Sequence, residues 1–138
     1  MQLWQLRWTT SEKGRWTYKL TPNIEQWLNR KHRKVDFYLT QILTGHGCFR
    51  SHLYRFKRAD SPYCIFCKNY IIEDAEHVFF VCSRFETYRS ELSSSTGWGV
   101  PTVTSLVEFL LDSKENCFAI SKMASSIIHS LRQVDSLL

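Results

Sequence analysis

The sequence of 138 residues predicts a mostly α fold, a small helical domain with one short insertion near its middle. Three observations carry this. Apolar residues recur at helical spacing in several stretches, most fully at Ile120, Met123, Ala124, Ile127, Leu131 and Val134. Glycine- and proline-containing breaks fall between those stretches, at Gly45-His46-Gly47 and Asp60-Ser61-Pro62. Strand-like alternation is scarce outside the first 20 residues and the insertion.

In chain order, the opening through Leu20 alternates aromatic and polar residues, with Trp4, Trp8 and Trp16, so residues 1–20 read as an extended or irregular N-terminal arm. Thr21-Pro22-Asn23 then starts a helix, because Thr can cap free amides and Pro tolerates a first turn. Ile24, Trp27 and Leu28 form its apolar face, and the run Arg30-Lys31-His32-Arg33-Lys34 puts positive charge at its C-terminal end. A second helix runs from Val35 through Tyr38, Leu39, Ile42 and Leu43 and stops at Gly45. Phe49, Leu53 and Phe56 mark a third, on which Arg55 and Arg58 at i, i+3 would share a face.

Ile71-Ile72-Glu73-Asp74 leads into a short helix through His77, Phe80 and Val81. Ser93 to Gly99 is polar enough to be a linker. Two amphipathic helices close the chain, one from Pro101 to Leu111 and one from about Lys114 to the end. The expected organisation is an arm (1–20), a helical segment (21–92) carrying an insertion at 61–84, and a linker with C-terminal helices (93–138).

A chain this long can bury a real core, and its 43% apolar and 22% charged content is that of a globular protein. No apolar run approaches the roughly 20 residues needed to span a bilayer, and the N-terminus carries no secretory pattern. The expectation is an intracellular chain, in nucleus or cytoplasm, that meets no membrane. Charge is split along the sequence. Residues 1–68 hold 13 Lys and Arg against 4 Asp and Glu, a net of +9. Residues 69–138 hold 5 against 9, a net of −4. The basic half suggests a polyanionic partner.

Five cysteines in such a compartment argue against a disulfide framework, and four residues instead form a C-x2-C-x9-H-x4-C pattern: Cys64, Cys67, His77 and Cys82. Two cysteines separated by two residues hold a tight turn whose thiolates converge on one ion, and a His with a third Cys closes the shell. A closed shell of three thiolates and one imidazole suits a structural Zn²⁺. There is one geometric difficulty. His77 and Cys82 are five apart, about 140° round an ideal helix, so the helix must end or distort before Cys82. Cys48, with His46 and His52 nearby, lacks a fourth ligand and reads as a packed small residue; Cys117 stands alone.

The sequence has no phosphate-binding glycine loop, no H-E-x-x-H helix and no nucleophile elbow. Its carboxylates are scattered, so no active site is expected.

The ordered string Gly14-Arg15-Trp16-Thr17-Tyr18-Lys19-Leu20, Trp27, Arg30-Lys31-His32, Phe37 through Phe49, Leu53-Tyr54-Arg55-Phe56, Asp60-Ser61-Pro62, the C-x2-C pair, Asp74 through Phe80 and Cys82 resembles a known region. It is similar to the zinc-knuckle region C-terminal to the polymerase in non-LTR (LINE-type) retrotransposon reverse transcriptases, above all those of insect elements that insert into ribosomal DNA or telomeric repeats. The likeness is close over roughly 12–90 and loose beyond. It implies zinc ligation by Cys64, Cys67, His77 and Cys82, and a part in gripping element RNA or target DNA. It also implies a structural corner near nucleic acid at Gly45-His46-Gly47. The polymerase motif Tyr-x-Asp-Asp is missing, so the chain is expected to be a stand-alone or truncated copy that is not itself an enzyme.

Two functions follow. As a nucleic-acid-binding module, Arg30, Lys31, Arg33, Lys34, Arg50, Arg55, Lys57 and Arg58 would meet phosphates, while Tyr54, Tyr63 or Phe66 would stack on unpaired bases. The alternative is a protein-interaction module adopted by a host, docking through the C-terminal helix, or a relic open reading frame.

Overall fold

The computed structural model describes residues 2–30 and 35–137, with side chains through 133. In chain order it contains α1 (Gln2–Thr10), α2 (Arg15–Leu20), α3 (Ile24–Leu28), α4 (Phe37–Thr44) and α5 (Arg50–Arg55). A π-helical turn (His77–Val81) and a 3₁₀ turn (Ser83–Phe85) follow, then α6 (Glu86–Thr96), α7 (Leu106–Asp112) and α8 (Lys114–Leu137). Among the described residues the one strand-like pairing is an isolated antiparallel bridge, Tyr63 to Ile72. The expected mostly helical fold is what forms.

The architecture is organised by α8, whose 24 residues extend about 36 Å at 1.5 Å per residue. Ile120, Ala124, Ile127, Ile128 and Leu131 make its buried stripe, against which α4, α6, α7 and the π-helical turn pack. Leu39 and Ile42 come from α4, Leu106 and Phe109 from α7, and Phe79 and Phe85 from the segment between knuckle and α6. Each such fully buried side chain contributes about 1.5–3 kcal/mol of hydrophobic stabilisation. Asn116, buried on α8, donates from Nδ2 to the Phe109 carbonyl (3.0 Å), which ties α7 to α8.

Helix ends follow the local chemistry. Asp36 Oδ1 accepts the Leu39 amide (2.8 Å) at the start of α4, and Gly45, left-handed at φ 71, ends it. A side chain at Gly47 would run into the Gln41 side chain, which would have to move to make room. α3 is capped by Asn23 rather than Thr21: Asn23 Oδ1 accepts the Gln26 amide (3.1 Å).

Several expectations are corrected. Residues 1–20 are not extended: α1 and α2 are helices held by side chains of mixed polarity. Gln5 Nε2 donates to the Pro22 carbonyl (2.6 Å), Trp8 Nε1 donates to the Thr21 carbonyl (2.8 Å), and Arg15 donates to the Thr9 carbonyl (3.2 Å). The polar stretch from Ser93 is not wholly linker, since Ser93 to Thr96 form the last turn of α6. Ser95 and Thr96 hydroxyls donate back to the Leu92 carbonyl (3.1 and 2.8 Å), which lets polar residues continue the helix. The expected start at Pro101 is early by five residues, with α7 opening at Leu106. α5 stops at Arg55, and Lys57 takes a left-handed φ of 60, so Arg55 and Arg58 do not share a helical face.

Candidate metal centre

The insertion is a narrow ribbon pinned to the N-terminal end of α5. The Glu73 amide donates to the Pro62 carbonyl (2.9 Å) and the Cys64 amide to the Ile71 carbonyl (2.7 Å), pairing its two limbs. Buried Arg50 donates from Nη2 to Asp60 (2.6 Å) and Ser61 (3.3 Å), while its own amide donates to Glu73 Oε1 (3.0 Å). Asn69 and Tyr70 turn the tip at positive φ, 78 and 57. That conformation is uncommon for a residue such as Tyr.

Two of the four candidate ligands, Cys64 and Cys67, sit on the first limb, and the Cys67 amide donates to Cys64 Sγ (3.4 Å), the knuckle hydrogen bond expected of two cysteines sharing an ion. His77 and Cys82 come from the π-helical turn and the residue that ends it. The Cys82 amide donates to the His77 carbonyl (2.6 Å), a five-residue step in place of the α-helix's four. That wider step is the distortion the spacing requires, and it brings the two ligands together. Asp74 Oδ1 accepts the His77 amide (2.8 Å) at the entry to the turn.

The ligand atoms of Cys64, Cys67, His77 and Cys82 all lie within 4.8 Å of one another. Cys67 Sγ is 3.7 Å and Cys64 Sγ 4.0 Å from Cys82 Sγ. Thiolates bound tetrahedrally at about 2.3 Å from an ion stand about 3.8 Å apart, so the sulfurs fit that shell. His77 Nε2 is buried and has no hydrogen-bond partner among the described residues, a deficit that ligation removes. The cluster can hold a metal ion. Burial pushes the Cys82 thiol up to about 12 and raises that of Cys64, while burial and then Arg89 against Asp74 keep the His77 imidazole below its usual value. Without a cation Cys64 and Cys82 are therefore neutral thiols, and an ion binds them by displacing their protons.

Arg89 of α6 is a supporting residue that sequence reasoning missed. Buried beside the site, it donates to the Cys82 carbonyl (2.5 Å) and the Val78 carbonyl (3.4 Å), two acceptors left by the π-helical turn. Nothing in the residue pattern marks it, because an arginine on a polar helix reads as surface charge.

The eight basic residues assigned to phosphates have different fates. Arg50 is excluded from that role, being 5% exposed with its guanidinium on Asp60 and Ser61. Arg55, Lys57 and Arg58 are exposed. Arg58 joins His46, Gly47, His52, Leu53 and Phe56 around an open cavity of about 510 Å³, with the His46 and His52 rings stacked 4.9 Å apart. Burial, then His46 and Arg55, lower the His52 imidazole below its usual value. Arg30 lies over the Trp27 ring (4.2 Å), and Lys31, Arg33 and Lys34 lie outside the described residues. Tyr54, Tyr63 and Phe66 are all exposed, and Tyr63 meets Tyr70 edge-on at 5.4 Å. No second metal cluster involving Cys48 forms among the described residues.

No protein-family model matches the chain, and no solved structure matches it. Three known proteins do. A retrovirus-related Pol polyprotein from type-1 retrotransposable element R1 4 of Nasonia vitripennis is 26% identical over 138 residues, 99% of this chain and 34% of the relative. A second, from element R1 2 of the same organism, is 33% identical over 89 residues, 64% of this chain and 21% of the relative. The Pol polyprotein of element R1 of Bradysia coprophila is 30% identical over 90 residues, 64% of this chain and 9% of the relative. The chain spans about a third or less of the length of these relatives. Its homologues are Pol polyproteins of insect R1 elements, as the retrotransposon resemblance implied.

Proposed function

We propose that this chain, a homologue of one stretch of R1 Pol polyproteins, is a non-catalytic nucleic-acid-binding module built round a structural Zn²⁺. Cys64, Cys67, His77 and Cys82 hold the ion. The four donors complete a tetrahedral shell, so the metal serves to fasten the ribbon rather than to activate a reactant.

The observation that carries the reading is the attachment of this knuckle to α5, whose far end and following turn present Arg55, Lys57 and Arg58 to solvent. His46, His52 and Arg58 line a recess beside them, and Tyr63 and Phe66 offer exposed ring faces on the knuckle itself. Element RNA or target DNA would lie along this edge, its phosphates on the arginines and lysine and its unpaired bases against the rings. The lack of a Tyr-x-Asp-Asp motif and of clustered carboxylates supports a binding role without polymerase chemistry.

Binding of single-stranded RNA and of duplex DNA across a salt series, with and without zinc, tests this. Replacing Arg55, Lys57 and Arg58 with Gln should weaken binding for all sequences alike. The salt slope should fall by about 0.7–0.9 for each phosphate left without its cation. Neutralising Glu108, Asp112 and Glu115 should leave binding intact. An unchanged affinity and slope in the Gln variant would remove the proposal.

The second reading is protein interaction through the C-terminal helices. A groove of about 590 Å³ runs between α6 and α8, with Trp98 in its wall, Glu91, Asp112 and Glu115 around it and Phe118 72% exposed. Salt-insensitive association of this face with a protein would favour it.

A further inference from the structure

Away from the knuckle, α1, α2, α3 and α4 border a half-open cavity of about 310 Å³ lined by Trp8, Thr17, Thr21, Ile24, Trp27 and Leu43. That is the lower end of the range for small-molecule sites, room for one ring system. Two tryptophans and two aliphatic side chains make it apolar. Of its polar groups, Thr17 Oγ1 is committed to the Leu43 carbonyl (2.8 Å) and Trp8 Nε1 to the Thr21 carbonyl (2.8 Å). Thr21 Oγ1 is different. The residue is 9% exposed, and its hydroxyl has no hydrogen-bond partner among the described residues. Buried polar groups are nearly always paired, so an unpaired hydroxyl in the wall of a cavity marks where a ligand's polar edge belongs.

The surroundings set the ligand's charge. The Arg30 guanidinium lies 4.2 Å over the Trp27 ring and donates to the Trp27 carbonyl (2.9 Å). The Arg15 guanidinium lies 4.4 Å over Tyr18 and 5.5 Å over Trp8. Its donors are turned to the carbonyls of Lys13, Thr9 and Trp8, so it acts as a fixed positive charge. Two cations are thus mounted on the aromatic residues that bound the cavity.

We infer that this cavity accepts one unpaired base of a single-stranded nucleic acid, edge to the Thr21 hydroxyl, with the flanking phosphates drawn to Arg15 and Arg30. A purely aliphatic side chain would leave the hydroxyl unsatisfied and make no use of the two guanidinium groups. A heterocycle with ring nitrogens or a carbonyl satisfies the hydroxyl, and its face suits the indoles. The inference rests on the nucleic-acid reading above and adds a second point of attachment, remote in sequence from the knuckle.

The test uses the full zinc-loaded chain and a labelled eight-nucleotide RNA, followed by fluorescence anisotropy. Ile24→Phe fills the cavity, and Thr21→Val removes the hydroxyl while keeping the shape. Ile24→Phe should weaken binding roughly 5- to 160-fold, the range for removing one stacked base, and Thr21→Val by a smaller factor. An abasic sugar walked along the RNA should cost the parent protein the same factor at one position and cost Ile24→Phe nothing more there. Equal affinity of parent and filled variant overturns the cavity proposal and leaves the nucleic-acid reading standing. Failure of the parent to bind RNA at any salt concentration overturns both. If Ile24→Phe does not fold by circular dichroism, Thr21→Val and the abasic walk decide, and unchanged affinity in both overturns the proposal.

Discussion

The knuckle ribbon and the three C-terminal helices are neighbours in sequence and are held together by opposite means. Along the ribbon Ile65, Phe66, Tyr70 and Ile72 face solvent, and its order comes from Arg50, Glu73 and the four metal donors. In α6 to α8 most apolar residues point inward, Phe118 excepted, with Leu92, Phe109, Ile120 and Ile127 each at most 3% exposed. One region is fastened at a few strong points, and the other by many weak interactions spread over a surface. On the zinc reading proposed above, a small domain can keep large apolar side chains on its exterior because a metal supplies the order that burial would otherwise provide.

The contrast breaks most sharply on chelation. Removing the metal takes away interactions that amount to roughly 10–16 kcal/mol in isolated zinc fingers. Amide exchange should speed up across the ribbon through Cys82 while α8 stays protected. Simultaneous loss of α8 protection would show that the two regions are one cooperative unit. The complementary cut is Ile127→Ala, expected to lower global stability by about 2–5 kcal/mol in denaturant titration. Its metal stoichiometry by native mass spectrometry should stay that of the parent wherever the protein is folded.

Acidity sharpens the comparison on the knuckle side alone. The Cys64 and Cys82 thiols are held protonated by burial, so an ion must displace both protons, and affinity falls as pH falls. Log affinity should drop by at least about two per pH unit near neutrality, measured by competition with a chelator. His77, pushed below its usual value, adds a further proton only once the pH falls beneath that lowered value. The smallest expected effect is at the seam between regions. Arg89→Met leaves the Cys82 and Val78 carbonyls without their donor, at a cost of about 1–3 kcal/mol. It should also weaken metal binding by about 10- to 100-fold, as removal of an outer-shell partner does. Unchanged affinity would reduce Arg89 to a packing residue.

What could be read from the residues divides along physical lines. α8 and α4 were legible because an apolar stripe at helical spacing is sequence-local, and α4 also carries a capping Asp36 and a terminal Gly45. The clustering of Cys64, Cys67, His77 and Cys82 was legible because cysteine spacing reports a tight turn directly. α1 was not, because it buries no residue and leaves Trp4 and Leu6 exposed, so no stripe exists to be seen. The end of α6 was hidden by polar residues whose hydroxyls bond back to the helix. The fate of Arg50 was hidden as well, since its partners Asp60 and Ser61 lie ten and eleven residues away across a turn.

The π-helical turn at His77–Val81 also has a meaning in terms of chain length. A five-residue step differs from a regular turn by one residue, so the spacing between imidazole and last thiolate and the type of helix are a single variable. Val81, 61% exposed, is the residue whose removal would change that variable without touching the core. Deleting it would set His77 and the last cysteine four apart, on one face of an ordinary helix. A shorter relative could then close the same tetrahedron on a regular turn, and a one-residue gap at this point would be a change of helical geometry rather than the loss of the site.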